Sequence, residues 1–108
     1  METIFCVENQ DTLIVELIGE IDHHCAEKLR HDIDEQIRYW EAKNLILDFR
    51  QVEFMDSSGI GVVLGRYKKI HGDGGRVTIR NASRLVKQIL DMSGVFSLMH
   101  YEDVEKEV

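Results

Sequence analysis

The sequence predicts an α/β fold, a sheet with helices packed against it. Two stretches near the start read as strands, the second with Leu13, Val15 and Leu17 on one face at period two. Beyond them, short apolar runs alternate with segments of helical period. Clusters such as Glu8-Asn9-Gln10-Asp11 and Gly72-Asp73-Gly74-Gly75 separate the elements, as turn-forming residues do.

The elements follow in order. Thr3 to Val7 and Thr12 to Ile18 read as strands joined by the turn at Glu8–Asp11, with Leu13, Val15 and Leu17 on one face. Asp22 is placed to cap a first helix, along which Ala26, Leu29, Ile33, Ile37 and Trp40 form a core-facing stripe. Leu45 to Phe49 is a short apolar run, the pattern of a strand buried on both faces. A second helix starts after Asp56 and runs to about Ile70, with Ile60, Val63, Leu64 and Tyr67 on one face. The glycine-rich turn that follows lacks the spacing and lysine of a phosphate-binding loop. Arg76 to Arg80 is a strand, and Asn81-Ala82-Ser83 supplies caps for a third helix. That helix buries Leu85, Val86, Ile89 and Leu90 and ends at Gly94. Val95 to His100 holds a short apolar segment, and the acidic tail Glu102 to Val108 is expected to be frayed or helical.

The composition bounds the function. A chain of 108 residues is one domain, spanning residues 1–108, and is long enough for a core without staples. Twenty acidic against 13 basic residues give a net charge of −7, which argues against nucleic acid or an anionic membrane as partner. The basic residues Arg66, Lys68, Lys69 and His71 read as a solvated helix face. Two cysteines, Cys6 and Cys25, make no disulfide framework, and Met1-Glu2-Thr3 shows no secretory pattern. A cytoplasmic protein is expected.

The chemistry concentrates in Phe54-Met55-Asp56-Ser57-Ser58-Gly59-Ile60-Gly61. A helix start exposes free N–H groups and a partial positive charge. A serine there can cap the helix, and a phosphate added there meets ready donors. Glycine costs about 1 kcal/mol against alanine inside a helix. Gly59 and Gly61 therefore point to close approach by another protein, and Gly65 to close packing on a neighbouring helix. Spacing alone leaves Ser57 and Ser58 equally open as the modified residue. The adjacent His23 and His24, followed by Cys25, point apart and make a poor metal site, so neither metal nor cofactor is expected. Serine hydrolysis is disfavoured because Ser57 and Ser58 lack the glycine-serine-glycine elbow and a short chain leaves little room for a pocket.

Three motifs in register carry a family resemblance. Asp56-Ser57-Ser58-Gly59 with the following Leu64-Gly65-Arg66-Tyr67-Lys68, then Gly19-Glu20-Ile21-Asp22-His23-His24, then Asp91-Met92-Ser93-Gly94-Val95-Phe96, together resemble the anti-sigma factor antagonists of the SpoIIAA type, which are single STAS domains. Ile60 stands where leucine is common and Cys25 where threonine is common. The resemblance implies a mixed four- to five-stranded sheet with helices mainly on one side. It implies no catalysis, but a cycle of partner switching. The unphosphorylated protein binds an anti-sigma factor that is also a serine kinase, of the SpoIIAB type, and frees the sigma factor. Phosphorylation ends the complex and a serine phosphatase restores it. The modified residue in that family follows the aspartate, which is Ser57 here. The partner surface takes in Glu20, Asp22, His23, Asp56, Ser58, Gly59, Ile60 and Gly61. Leu64-Gly65-Arg66-Tyr67-Lys68 favours the sporulation branch over the general-stress branch.

Overall fold

A computed structural model describes residues 1–104. The strands are β1 (Glu2–Glu8), β2 (Thr12–Ile21), β3 (Asn44–Met55), β4 (Val77–Arg80) and β5 (His100–Glu102). The helices are α1 (His23–Trp40), α2 (Ser57–Gly72) and α3 (Arg84–Met92), with a 3₁₀ turn at Val95–Ser97. The five strands lie side by side in chain order. β1 is antiparallel to β2, and β2 to β5 are mutually parallel.

That order dictates where the helices go. Each parallel step advances the sheet in one direction, and right-handed crossovers then put α1, α2 and α3 on a single face. The burial pattern agrees. Leu13, Leu45 and Val77 stand in register, as do Val15, Leu47 and Ile79, and all six are buried against the helices. Their neighbours Ile14, Ile46 and Thr78, and Glu16, Asp48 and Arg80, look out from the other face and are half-buried. The run Leu45 to Phe49 is thus buried on one face only, because no helix covers the other. β3 is also longer than its apolar run, since it continues through Val52 to Met55 beside β2.

Two expected core residues lie outside. Trp40 is 45% exposed. It ends α1, just before the chain turns through Glu41 in the left-handed conformation, and its indole N–H donates to Gln36 at 2.9 Å. Leu85 is 48% exposed, because α3 buries a narrow stripe built on Val86 and Leu90, with Ile89 half-buried. The glycine-rich turn is more than punctuation. A Cβ on Gly75 would come within 1.7 Å of the Lys43 carbonyl oxygen, so the entry to β4 lies directly against the entry to β3. Glu102 belongs to β5, Asp103 and Val104 follow it without regular structure, and the rest of the acidic tail lies outside the described residues. No described helix is long and apolar enough to cross a membrane.

Candidate functional site

The site begins where β3 gives way to α2. One residue, Asp56, joins them in extended conformation. Its carboxylate Oδ1 accepts from the Ser58 N–H at 2.8 Å and its carbonyl from the Gly59 N–H at 3.0 Å. Asp56 is therefore the cap, and neither serine is spent on that task. The Asp56 N–H donates to the Ile21 carbonyl at 3.1 Å, which ties the start of α2 to the end of β2.

α1 starts in the same way next door. Asp22 accepts from the N–H groups of His24 at 3.0 Å and Cys25 at 3.2 Å. Partial desolvation pushes the Asp22 carboxyl up, but those N–H bonds and the His24 side chain outweigh it and hold the pKa below the usual value. Ile21 and Met55 are paired across β2 and β3, so the two helix starts rise from neighbouring strand ends. Both present N–H groups and the positive end of a helix dipole.

The side chains divide by exposure. Ser57 is the first residue of α2 and is exposed; Ser58 is half-buried. Gly61 is exposed, and a Cβ there would meet nothing within 4 Å. Glu20 is exposed and lies in register with Phe54, whose ring is 46% exposed. His23 is exposed and its ring lies 3.9 Å, centre to centre, from that of His24. The two imidazoles thus lie together, whereas adjacency in the sequence predicts divergence. Among the described residues no group of three or more His, Cys, Asp or Glu is placed to hold a metal ion.

Four sequence readings are corrected. Gly59 is buried, and a Cβ there would lie 3.1 Å from Met55 Cβ and 3.3 Å from Ile21 Cγ2. It lets α2 sit close on the strand ends and offers nothing to an approaching protein. Ile60 is also buried, at 9% exposure, and supports the surface from below. Gly65 has open space around its Cβ position, so close helix packing does not require it. Arg66, read as part of a solvated basic face, is 7% exposed. Its Nε lies 2.8 Å from Asp34 Oδ1 on α1, while Lys69 Nζ is 3.5 Å from the other carboxylate oxygen. The periodicity held this signal. Arg66 is four residues from both Val62 and Ile70, which are buried on α2.

The family follows from the whole chain. The model of the STAS domain matches residues 4–108. The chain is a STAS domain. An anti-sigma F factor antagonist of Paenibacillus polymyxa is 41% identical to it over 97 residues, which cover 90% of this chain and 83% of that protein. An anti-sigma-B factor antagonist of Bacillus subtilis is 28% identical, covering 82% of this chain and 79% of that protein. The solved structure of unphosphorylated SpoIIAA superposes with a TM-score of 0.84 at 30% identity, covering 97% of this chain and 90% of that one. The phosphorylated form of a Bacillus SpoIIAA superposes at 0.77 with the same identity, covering 97% of this chain and 93% of that one. The relatives of this STAS domain are thus named as anti-sigma factor antagonists, and its five-stranded mixed sheet is the SpoIIAA fold.

Proposed function

We propose that this STAS domain binds an anti-sigma factor when Ser57 is free and releases it when Ser57 is phosphorylated. One observation carries the reading. Ser57 is exposed at the first position of α2 while Asp56 does the capping, so its hydroxyl is available without cost to the fold. A phosphate adds about −1.5 to −2 charges at neutral pH. The α2 start offers partial compensation of roughly 0.3–1 kcal/mol. A partner seated on Ser57 and Gly61 would instead meet a desolvated dianion with Asp56 beside it. Glu20, Asp22 and His23 border the same surface from β2 and α1.

The partner is an anti-sigma factor that is also a serine kinase, and a serine phosphatase reverses the modification. Ser58 is the lesser acceptor because it is half-buried and one step further into the helix. The sporulation pathway is favoured over general stress. The anti-sigma F antagonists match at 41% and 34% identity, the anti-sigma-B antagonists at 28% or less. The protein works in the cytoplasm as a regulator without catalysis, nucleic acid or metal.

Intact-mass and fragment spectra after incubation with the anti-sigma kinase and ATP test the assignment. One phosphate on Ser57 is expected, with loss of the complex on size-exclusion chromatography. Phosphate on Ser58 alone, or a complex that survives full modification, would overturn it. Capture of an anti-sigma-B factor in preference to an anti-sigma F factor would move the protein to the stress pathway.

A further inference from the structure

The ion pair between α1 and α2 has no part in the surface described above, yet it joins the two helices that carry that surface. Arg66 is the one buried charged residue among those described. Burial pushes its guanidinium pKa down, and Asp34 opposes that shift. The contact is not an ideal one. Arg66 Nε and Asp34 Oδ1 are 2.8 Å apart, but the N–H is not aimed well enough to count as a hydrogen bond, and neither atom has another partner. Arg66 Nη1 reaches only the Val62 carbonyl of its own helix, at 3.4 Å. A pair of one buried and one half-buried charge with such geometry gains little net stability over apolar residues of the same size. Its value lies elsewhere.

Apolar seams are poor at specifying one arrangement. Facing surfaces of Val, Leu and Ile permit small rotations at little cost, and a single polar pair removes that freedom. α2 is pivoted at its start, where Gly59 sits against Met55 and Ile21. Arg66, nine residues after Ser57 at the helix start, meets Asp34, which lies 12 residues beyond the Asp22 cap of α1. Those intervals correspond to roughly 14 and 18 Å of helix. The pair thus holds α2 well away from its pivot and blocks rotation about the helix axis. A rotation of about 20° would carry a side-chain atom some 5 Å from the axis by about 2 Å. Ser57 and Gly61 lie on the outer side of α2 and would move by that amount.

We infer that Asp34 and Arg66 are positioning residues: their pair sets the rotation of α2 against α1, and so the orientation in which Ser57 is presented to kinase and partner. This rests on the switch reading of Ser57. A misplacement of about 1 Å is enough to cost on the order of a hundredfold in a transfer step.

The test compares Arg66→Met, Asp34→Leu and the double variant. Asp34→Leu strands the buried Arg66 guanidinium and lowers the melting temperature, and Arg66→Met, which leaves Asp34 with Lys69, lowers it less. The double variant melts within a few degrees of the parent. Phosphorylation of Ser57 by the anti-sigma kinase, and binding of the anti-sigma F factor antagonised by the Paenibacillus polymyxa relative, are measured on the same samples. Positioning predicts that the double variant regains stability but loses at least about tenfold in phosphorylation rate, with displaced amide shifts over residues 57–61. Recovery of rate and shifts together with stability would show a merely structural pair and overturn the inference. Asp34→Asn, which keeps shape and removes charge, gives the same readouts if the double variant does not fold. Its expected result is the same displaced shifts and slowed transfer, and parental values would equally overturn the inference. The amide shifts need no partner. Failure of the unmodified protein to bind or be phosphorylated would count against the switch reading, and the shifts would still decide the role of the pair.

Discussion

Gly59 and Gly61 sit two residues apart in the first turns of α2, and they face opposite consequences. Alanine at position 61 adds a methyl into open space and removes the entropic cost of glycine, so stability should rise by about 0.5–1 kcal/mol. The same methyl stands beside Ser57 on the exposed side, and partner affinity should fall. Alanine at position 59 must displace Met55 Cβ, which is fixed to the strand and cannot swing away. Overpacking of this kind costs about 1–3 kcal/mol, offset by roughly 1 from helix propensity, so a net loss of about 1 kcal/mol is expected. Thermal melts and binding isotherms on both variants check this. Equal stability changes at the two sites would show that the burial of Gly59 is not what constrains it. Ser57→Ala removes no cap, so it should melt like the parent, bind the partner and resist inactivation. Ser57→Asp should fold and bind weakly.

At the scale of the element, each helix start is governed by the residue before it. Asp22, Asp56 and Ser83 cap α1, α2 and α3 with bonds to backbone N–H groups. Asp56 has a second task, because its N–H holds the Ile21 carbonyl and so fastens the switch loop to β2. Asp56→Ala keeps that backbone bond and loses only the carboxylate. It should cost about 1 kcal/mol by chemical denaturation, with the amide of Ser58 losing most of its hydrogen-exchange protection. Asp56→Asn keeps an acceptor oxygen and should restore most of both. Equal loss in the two variants would mean that charge at the helix dipole, rather than the hydrogen bond, supplies the stabilisation.

Across the whole molecule, the edge formed by β4, β5 and α3 is closed by Tyr101. Its hydroxyl accepts from the Ala82 N–H at 3.1 Å and donates to Asp103 at 2.7 Å, with Lys87 4.1 Å above the ring. Burial first, then the bond to and charge of Asp103, push its pKa up to about 12. The folded state therefore favours the neutral phenol. Its contribution is complete below the unfolded pKa of about 10 and is lost as pH rises from there toward 12. Denaturation curves for the parent and Tyr101→Phe at pH 8 and pH 11.5 should converge at the higher pH. A difference that stays constant would show that ionisation of Tyr101 is not linked to folding. Phosphorylation belongs at this scale too. A helix start accommodates the added charge, so amide shifts on modification should change only around residues 55–61. Changes reaching β1 or α3 would indicate a global conformational switch.

Local patterns carried much of this protein in the sequence itself. Period two marked β2, period 3.6 marked the helices, and Asp22, Asp56 and the Asn81-Ala82-Ser83 cluster announced where the helices begin, because capping and alternation act over a few residues. The Asp56-Ser57-Ser58-Gly59 stretch was legible as a helix start for the same reason. What needed the tertiary structure was every property set by residues distant in the chain. Only packing against Ile21 and Met55 makes Gly59 a buried contact while Gly61 stays open. Only the placement of Asp34 opposite α2 turns Arg66 from a surface charge into a buried one. Only the one-sided stacking of the helices leaves Ile46 and Asp48 half-exposed in a run that reads as fully buried. A sequence records which residues are apolar, but the partner each one packs against exists only once residues 32 to 34 positions apart in β2 and β3 lie in register.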